Sequence, residues 1–247
     1  MVLDPTVGYV MLVIFVATLV RSTLGFGEAL VAVPLLALRI PLVVATPLAV
    51  LFSVVVATMI IAQDWRQIQL RSAGGLILSS LVGIPLGLML LAHGNAQMVK
   101  LILAGVLMSF SVYSLTVKAT LHLERDRLPW LLGAGLISGV LGGAFGMNGP
   151  PLAIYGALRR WSPQHFRATL QGYFLPVSLA GLIGFASIGL WGSIVTRYFL
   201  FSLPGAVAAT LIGRVLNRRL QGDGFFRSVY AGLMVIAAVL AIQALQI

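Results

Sequence analysis

Long apolar stretches separated by short polar ones dominate the chain. Six of them, residues 42–62, 72–92, 97–117, 166–188, 194–216 and 226–247, run for about 20 residues, the length a helix needs to cross a hydrocarbon core about 30 Å thick. Two further apolar segments, 5–38 and 129–158, are interrupted by glycine-rich breaks. The first break reads Leu24-Gly25-Phe26-Gly27-Glu28, the second Gly142-Gly143-Ala144-Phe145-Gly146-Met147-Asn148-Gly149-Pro150-Pro151. At membrane depth, non-helical backbone survives only where protein or a water-filled cavity surrounds it. Paired breaks in corresponding places therefore point to a substrate site.

The pattern recurs along the chain. Trp65-x-x-Ile68-x-x-Arg71 returns as Trp191-x-x-Ile194-x-x-Arg197 at an offset of 126, and Lys100-x-x-x-Ala104-Gly105 as Arg227-x-x-x-Ala231-Gly232 at 127. Ala45-Thr46 matches Ala168-Thr169 at 123, and Phe26-Gly27 matches Phe145-Gly146 at 119. Four matches in order with slowly drifting offsets predict a duplication. The expected layout is repeat 1 over 1–117, a cytoplasmic connector over 118–128 and repeat 2 over 129–247, each repeat one broken segment plus three spans.

Charge decides how the broken segments are expected to sit. If the second one returns to the side it came from, Arg66, Arg71, Lys118, Arg125, Arg127, Arg159, Arg160, Arg167, Arg214, Arg218, Arg219 and Arg227 fall inside, against Arg39, Lys100 and Arg197 outside. That is a strong positive-inside bias, which disappears if both broken segments cross. By duplication the first segment becomes a re-entrant hairpin too. Each repeat then has an odd number of crossings, so the second is inverted relative to the first. The fold expected is an all-α membrane protein of two inverted repeats, each a glycine-broken re-entrant helical hairpin plus three transmembrane helices.

Composition confirms the solvent. With 60% hydrophobic residues, 9% charged residues and a mean hydropathy of +1.04, the chain belongs in a bilayer. The formal charge of +10 lies between spans and reports orientation rather than nucleic acid. Cysteine is absent, which removes disulfides, thiolate metal sites and a cysteine nucleophile. The start, Met-Val-Leu-Asp-Pro-Thr, lacks a basic n-region, so the first apolar segment is expected to be retained.

The breaks also carry the candidate chemistry. A short helix that starts at mid-membrane aims unsatisfied N–H groups and its positive dipole end into the break, which makes an anion site. Gly25, Gly27, Gly146 and Gly149 permit unusual backbone and close ligand approach, or serve only tight helix packing. Asn148 or Gly149 would cap the helix that opens with Pro150 and Pro151. Arg21 offers a planar fork of donors to an anion. Glu28 is the one acidic residue at this depth that could carry a proton, unless the two charges simply pair and pin the hairpin. Thr46 and Thr169 sit at matching positions, and with Gln171 they are candidates for neutral hydrogen bonds to an oxyanion. His93, His122 and His165 lack metal-ligand spacing, so neither a metal nor a cofactor is expected. Trp65 and Trp191 read as interfacial anchors.

The sequence resembles the TauE/SafE family of bacterial and archaeal sulfite exporters and sulfonate permeases. The resemblance rests on Gly25-Phe26-Gly27 with Val33-Pro34-Leu35-Leu36, on Gly139-Val140-Leu141-Gly142-Gly143-Ala144-Phe145-Gly146-Met147-Asn148-Gly149-Pro150-Pro151, and on Arg167-Ala168-Thr169. It implies a plasma-membrane, multi-pass carrier of sulfite, sulfoacetate or another organosulfonate, with Phe26 and Phe145 inside the two site motifs. Glu28-Ala29 stands where the family often has further glycines. The expected partners are a small anion, protons and the lipid bilayer, with no nucleic acid, and a homo-oligomer is compatible with the pattern. The leading expectation is a proton-coupled secondary transporter working by alternating access, and the alternative is a passive anion channel. A membrane enzyme is disfavoured, since no His-Glu-x-x-His motif or pair of intramembrane aspartates is present.

Overall fold

A computed structural model describes residues 4–64, 70–116, 128–161, 163–217 and 223–246. The side chains at 24, 63–64, 70–72, 163–168, 171, 214, 217 and 223–228 are not described. Trp65, Arg66, Ile68, Lys118, Arg125, Arg127, His122, Arg218 and Arg219, and residues 118–127 of the expected connector, therefore lie outside the described residues.

All regular structure among the described residues is helical. In chain order the helices are α1 (Pro5–Leu24), α2 (Glu28–Ala37), α3 (Leu42–Asp64), α4 (Leu70–His93), α5 (Ala96–Thr116), α6 (Leu128–Phe145), α7 (Gly149–Leu158), α8 (Pro163–Ser187), α9 (Ser193–Asn217) and α10 (Asp223–Leu245). Among the described residues, six helices, α1, α3, α4, α5, α6 and α9, are long and apolar enough to cross a bilayer, and the described apolar parts of α8 and α10 are Gly172–Ser187 and Val229–Leu245. Each broken segment is thus one long arm and one arm of 10 residues, which spans about 15 Å or half a hydrocarbon core.

The breaks are shorter than the runs of glycine. Gly25 ends α1 at φ 87° with its N–H on the Arg21 carbonyl, and Gly27 opens α2 at φ 96°. In the second segment α6 continues through Gly142 and Gly143 to Phe145, leaving only Gly146-Met147-Asn148 as the break. Gly146 adopts φ 66°. Its N–H bonds the Gly142 carbonyl at 2.8 Å, the bond of an αL stop, and the Met147 N–H reaches the Leu141 carbonyl at 3.1 Å. Gly149, unlike these, is helical. It is small because a Cβ there would stand 3.1 Å from the Phe26 ring.

Gly143 is a helix glycine because another helix comes too close for anything larger. Along the α4–α6 seam, a Cβ on Gly139 would strike the Ser80 backbone, one on Gly83 the Leu136 carbonyl, one on Gly87 the Val140 carbonyl and one on Gly143 the Ile84 carbonyl. The same device recurs between α1 and α9, where Gly213 meets Ser22 and the Leu19 carbonyl. Lipid offers no hydrophobic drive between helices, so close backbone approach and van der Waals contact supply the adhesion. Large apolar side chains such as Leu78, Val82, Met89 and Ile183 project outward, as lipid-facing residues do.

The most extensive contacts between the long helices of the two halves are reciprocal. α1 packs on α9 and α6 on α4; α3 packs on α9 and α4 on α8; α3 meets α8, and α5 meets α10. Advancing every helix by five positions converts this set into itself. Tyr173, Phe52, Phe145 and Phe185 fill the centre between the paired helices and are fully buried.

The seam generates a stability prediction. Gly139→Ala and Gly143→Ala should each lower the apparent melting temperature of detergent-purified protein, by the about 1–3 kcal/mol typical of overpacking. Gly133→Ala, whose Cβ meets nothing, should change it by less than about 0.5 kcal/mol. Equal effects at the three positions would contradict the seam.

Candidate functional site

Helical spacing puts Thr18 and Arg21 one turn apart on α1, and both face the first residue of α2. Arg21 Nη1 lies 2.7 Å from Glu28 Oε2, and the Thr18 hydroxyl donates to Glu28 Oε1 at 2.8 Å. The same Nη1 donates to Ser53 Oγ on α3 at 2.7 Å, and Ser53 Oγ stands 3.3 Å from Ser178 Oγ on α8. The guanidinium carbon sits 5.2 Å from the centroid of the Phe174 ring, within cation–π range. Arg21 and Glu28 are each only 2% exposed. This is the one ion pair among the described residues.

The pair leaves donors over. Arg21 Nε and Nη2 are buried without a hydrogen-bond partner, and a buried unmet donor costs about 1–3 kcal/mol. Arg21, Glu28, Ser53 and Phe174 wall one side of a cavity of about 20 Å³ whose other side is the second break, Gly146 to Pro150. One water fits such a volume, so a larger oxyanion enters only if the walls part. Backbone donors converge here as well. Glu28, Ala29 and Leu30 open α2, and their N–H groups precede the first helical bond, made by Val31 to the Gly27 carbonyl. In α7, Pro150 and Pro151 have no N–H, so Gly149 supplies the only one in the first three positions.

The two breaks touch. The Phe26 ring covers Gly149, and Gly146 lies against Val50, Ala29 and Thr46. Beside the second break runs a hydroxyl cluster: Ser138 on α6 donates to the Asn148 carbonyl, and the Tyr173 hydroxyl on α8 stands 2.8 Å from Ser138 Oγ and also bonds Ser80 on α4.

Of the residues expected from sequence, Arg21, Gly27, Glu28, Gly146, Asn148 and Gly149 line the cavity. Gly25, Phe26 and Phe145 are not among its lining residues. Thr46 donates toward the Ala144 carbonyl at 3.5 Å, closing the end of α6. Thr169 is buried with its hydroxyl unpartnered, outside the cavity lining. The Gln171 side chain lies outside the described atoms. Thr18, Ser53, Ser178 and Phe174 were not anticipated, although a hydroxyl one turn before Arg21, and serines inside apolar spans, are visible signals. Among the described residues no group of His, Asp and Glu could hold a metal ion, and His93 is an exposed residue at the end of α4. Trp191 is 43% exposed and donates to Thr196.

A family model described as sulfite exporter TauE/SafE matches residues 10–241. The chain is 28% identical over 151 residues to a probable sulfite/organosulfonate exporter TauE of Cupriavidus necator, an alignment covering 61% of this chain and 58% of that protein. The match therefore spans less than two thirds of that relative. No solved structure matches. These are membrane exporters and not an enzyme class, in keeping with six helices fit to span a bilayer.

The buried pair has a measurable signature. Glu28→Ala leaves the Arg21 charge alone and should destabilise the protein by about 3–5 kcal/mol, whereas the double change Arg21→Met with Glu28→Leu should recover most of that loss. Thermal unfolding in detergent reads both; a double variant no more stable than Glu28→Ala would contradict the pairing.

Proposed function

The chain belongs to the TauE/SafE sulfite exporter family, and we propose that it is a secondary transporter for a small sulfur-containing anion such as sulfite, sulfoacetate or another organosulfonate. The observation that carries this reading is the cavity between the two breaks, lined by Arg21, whose Nε and Nη2 have no hydrogen-bond partner. An oxyanion seated there would meet Arg21 Nε and Nη2, the N–H groups that open α2 and the Gly149 N–H, which together form an electropositive ring around a point where neither segment is helical.

Alternating access follows from the architecture proposed. The two broken segments are re-entrant hairpins of inverted repeats over 1–117 and 129–247, joined by the connector over 118–128, in the plasma membrane of a bacterial or archaeal cell. The reciprocal pairing of the major helix contacts is what a two-fold axis relating the halves produces, and the inverted sense rests on the positive-inside bias of the loops. In the closed arrangement the Phe26–Gly149 contact seals the site. Parting the segments on one side or the other opens it.

We infer that Glu28 couples protons. The anion and the Glu28 carboxylate compete for one guanidinium, so binding the anion while Glu28 takes up a proton keeps the net charge of the buried site unchanged. Uptake of an anion against a negative interior, which opposes entry by about 2.3 kcal/mol per charge at 100 mV, then gains a driving cation, and export of the anion needs none. Thr46, Thr169 and Gln171 stay candidates for neutral contacts in the opened site.

Proteoliposomes test the reading. The wild-type chain should show saturable sulfite flux with counter-exchange; flux that never saturates and lacks exchange would make it a channel. Arg21→Lys keeps the charge and loses the fork, so sulfite KM should rise about tenfold or more, the loss of about 1.4 kcal/mol. The Arg21→Met, Glu28→Leu double variant should fold and carry nothing. Glu28→Gln should exchange methanesulfonate, whose charge is fixed, yet no longer respond to an imposed pH gradient. An unaltered response would remove Glu28 from the coupling.

A further inference from the structure

The hydroxyl cluster beside the second break has no part in the transport cycle described so far, yet it grips the peptide that matters most there. Ser138 donates to the Asn148 carbonyl. That carbonyl shares a rigid trans peptide with the Gly149 N–H, and in a trans peptide the two point in opposite directions. Holding the carbonyl toward α6 therefore fixes the direction of Gly149 N–H, the only donor in the first three positions of α7.

The protons in the cluster can be assigned by elimination. Ser138 uses its single proton on Asn148, so the 2.8 Å contact with Tyr173 must be a bond donated by the Tyr173 hydroxyl. Tyr173 has then spent its own proton, while Ser80 Oγ, beside Tyr173, has one proton and also reaches the Gly135 carbonyl at 2.7 Å and the Leu76 carbonyl at 2.8 Å. The bonds from Tyr173 through Ser138 to the Asn148 carbonyl run one way, and with Ser80 the cluster ties α4, α8 and α6 to the break. Tyr173 is fully buried, and Ser80 and Ser138 are 0% exposed, so water does not compete for these bonds.

The first half has a counterpart at an offset of 120. Thr18 stands ten residues before Glu28 as Ser138 stands ten before Asn148, and each hydroxyl donates to its partner. One grips a carboxylate, the other a backbone carbonyl.

We propose that Tyr173 is a positioning residue of the anion site: acting through Ser138, it sets the orientation of the Asn148–Gly149 peptide and so the affinity of the second break for the anion. This rests on the transporter reading above. The chain of hydroxyls itself can be tested without any anion.

Two measurements on reconstituted full-length protein decide it. Hydrogen exchange at the Met147, Asn148, Gly149 and Leu152 amides should speed up in Tyr173→Phe and in Ser138→Ala and stay at the wild-type rate in Ser138→Thr, which keeps the hydroxyl. Sulfite counterflow should show KM raised about fivefold in Tyr173→Phe and in Ser138→Ala, the scale of one hydrogen bond, with Vmax within about twofold. Because Tyr173 acts through Ser138, the double variant should match Ser138→Ala. Unchanged exchange in both single variants, additive effects in the double, or a fall in Vmax with KM unmoved would each overturn the proposal. If the wild-type protein neither binds nor moves sulfite, the transporter reading fails, and the exchange data still decide whether Tyr173 holds the peptide.

Discussion

A charge can stay in a low-dielectric interior only if something nearby answers it, and in this protein one contact does so. Glu28 begins α2 where it does because Arg21, one turn before the end of α1, needs a carboxylate within hydrogen-bond reach. Thr18, Ser53 and Phe174 then find their places around the pair. Through Ser53 and Ser178 the contact extends to α3 and α8, the helices that meet across the centre of the molecule. The ion pair is incomplete by design of its geometry: a guanidinium has five N–H donors, and Glu28 and Ser53 engage only Nη1. Whatever satisfies the rest must be negative or a hydrogen-bond acceptor, and must fit between the two breaks.

The scaffold beside the site is tightly packed. Glycines on α4 and α6 bring two backbones into direct contact, which fixes the long arm of the second broken segment. The arms of 10 residues, α2 and α7, end at the breaks, and it is there that positive-φ glycines let the chain turn. The two halves solve the same problem with different chemistry. The first break is held by a carboxylate paired with arginine, the second by a carbonyl at the end of a file of hydroxyls. Only the first carries a carboxylate; the second presents a backbone dipole.

Much of this was legible in the sequence because the bilayer imposes strict rules. The all-helical fold and the two glycine breaks follow from hydropathy and from the need to satisfy backbone groups, and the pairing of Arg21 with Glu28 is the alternative the sequence left open beside separate roles for the two charges. Resemblance to a known family at the motif over 139–151 pointed to the family that the comparison with the family model then identified. What stayed hidden depends on which faces meet. Gly142 and Gly143 look like a break by composition, and only the approach of α4 and of the Asn148 side chain shows them as helix glycines. Ser53 and Ser178 are 125 residues apart, and no local periodicity joins them. Thr46 was expected at the site on the strength of a repeated Ala-Thr pair, yet its hydroxyl turns to the end of α6, because that carbonyl lost its helical partner at Gly146.

The central claim is that an oxyanion sits between the two breaks, against Arg21. Anomalous diffraction from crystals soaked in selenite, the selenium analogue of sulfite, locates such an ion directly. The result expected is a selenium peak within hydrogen-bond distance of Arg21 Nε or Nη2 and of the Gly149 N–H. A well-occupied peak anywhere else, with none between the breaks, would contradict it.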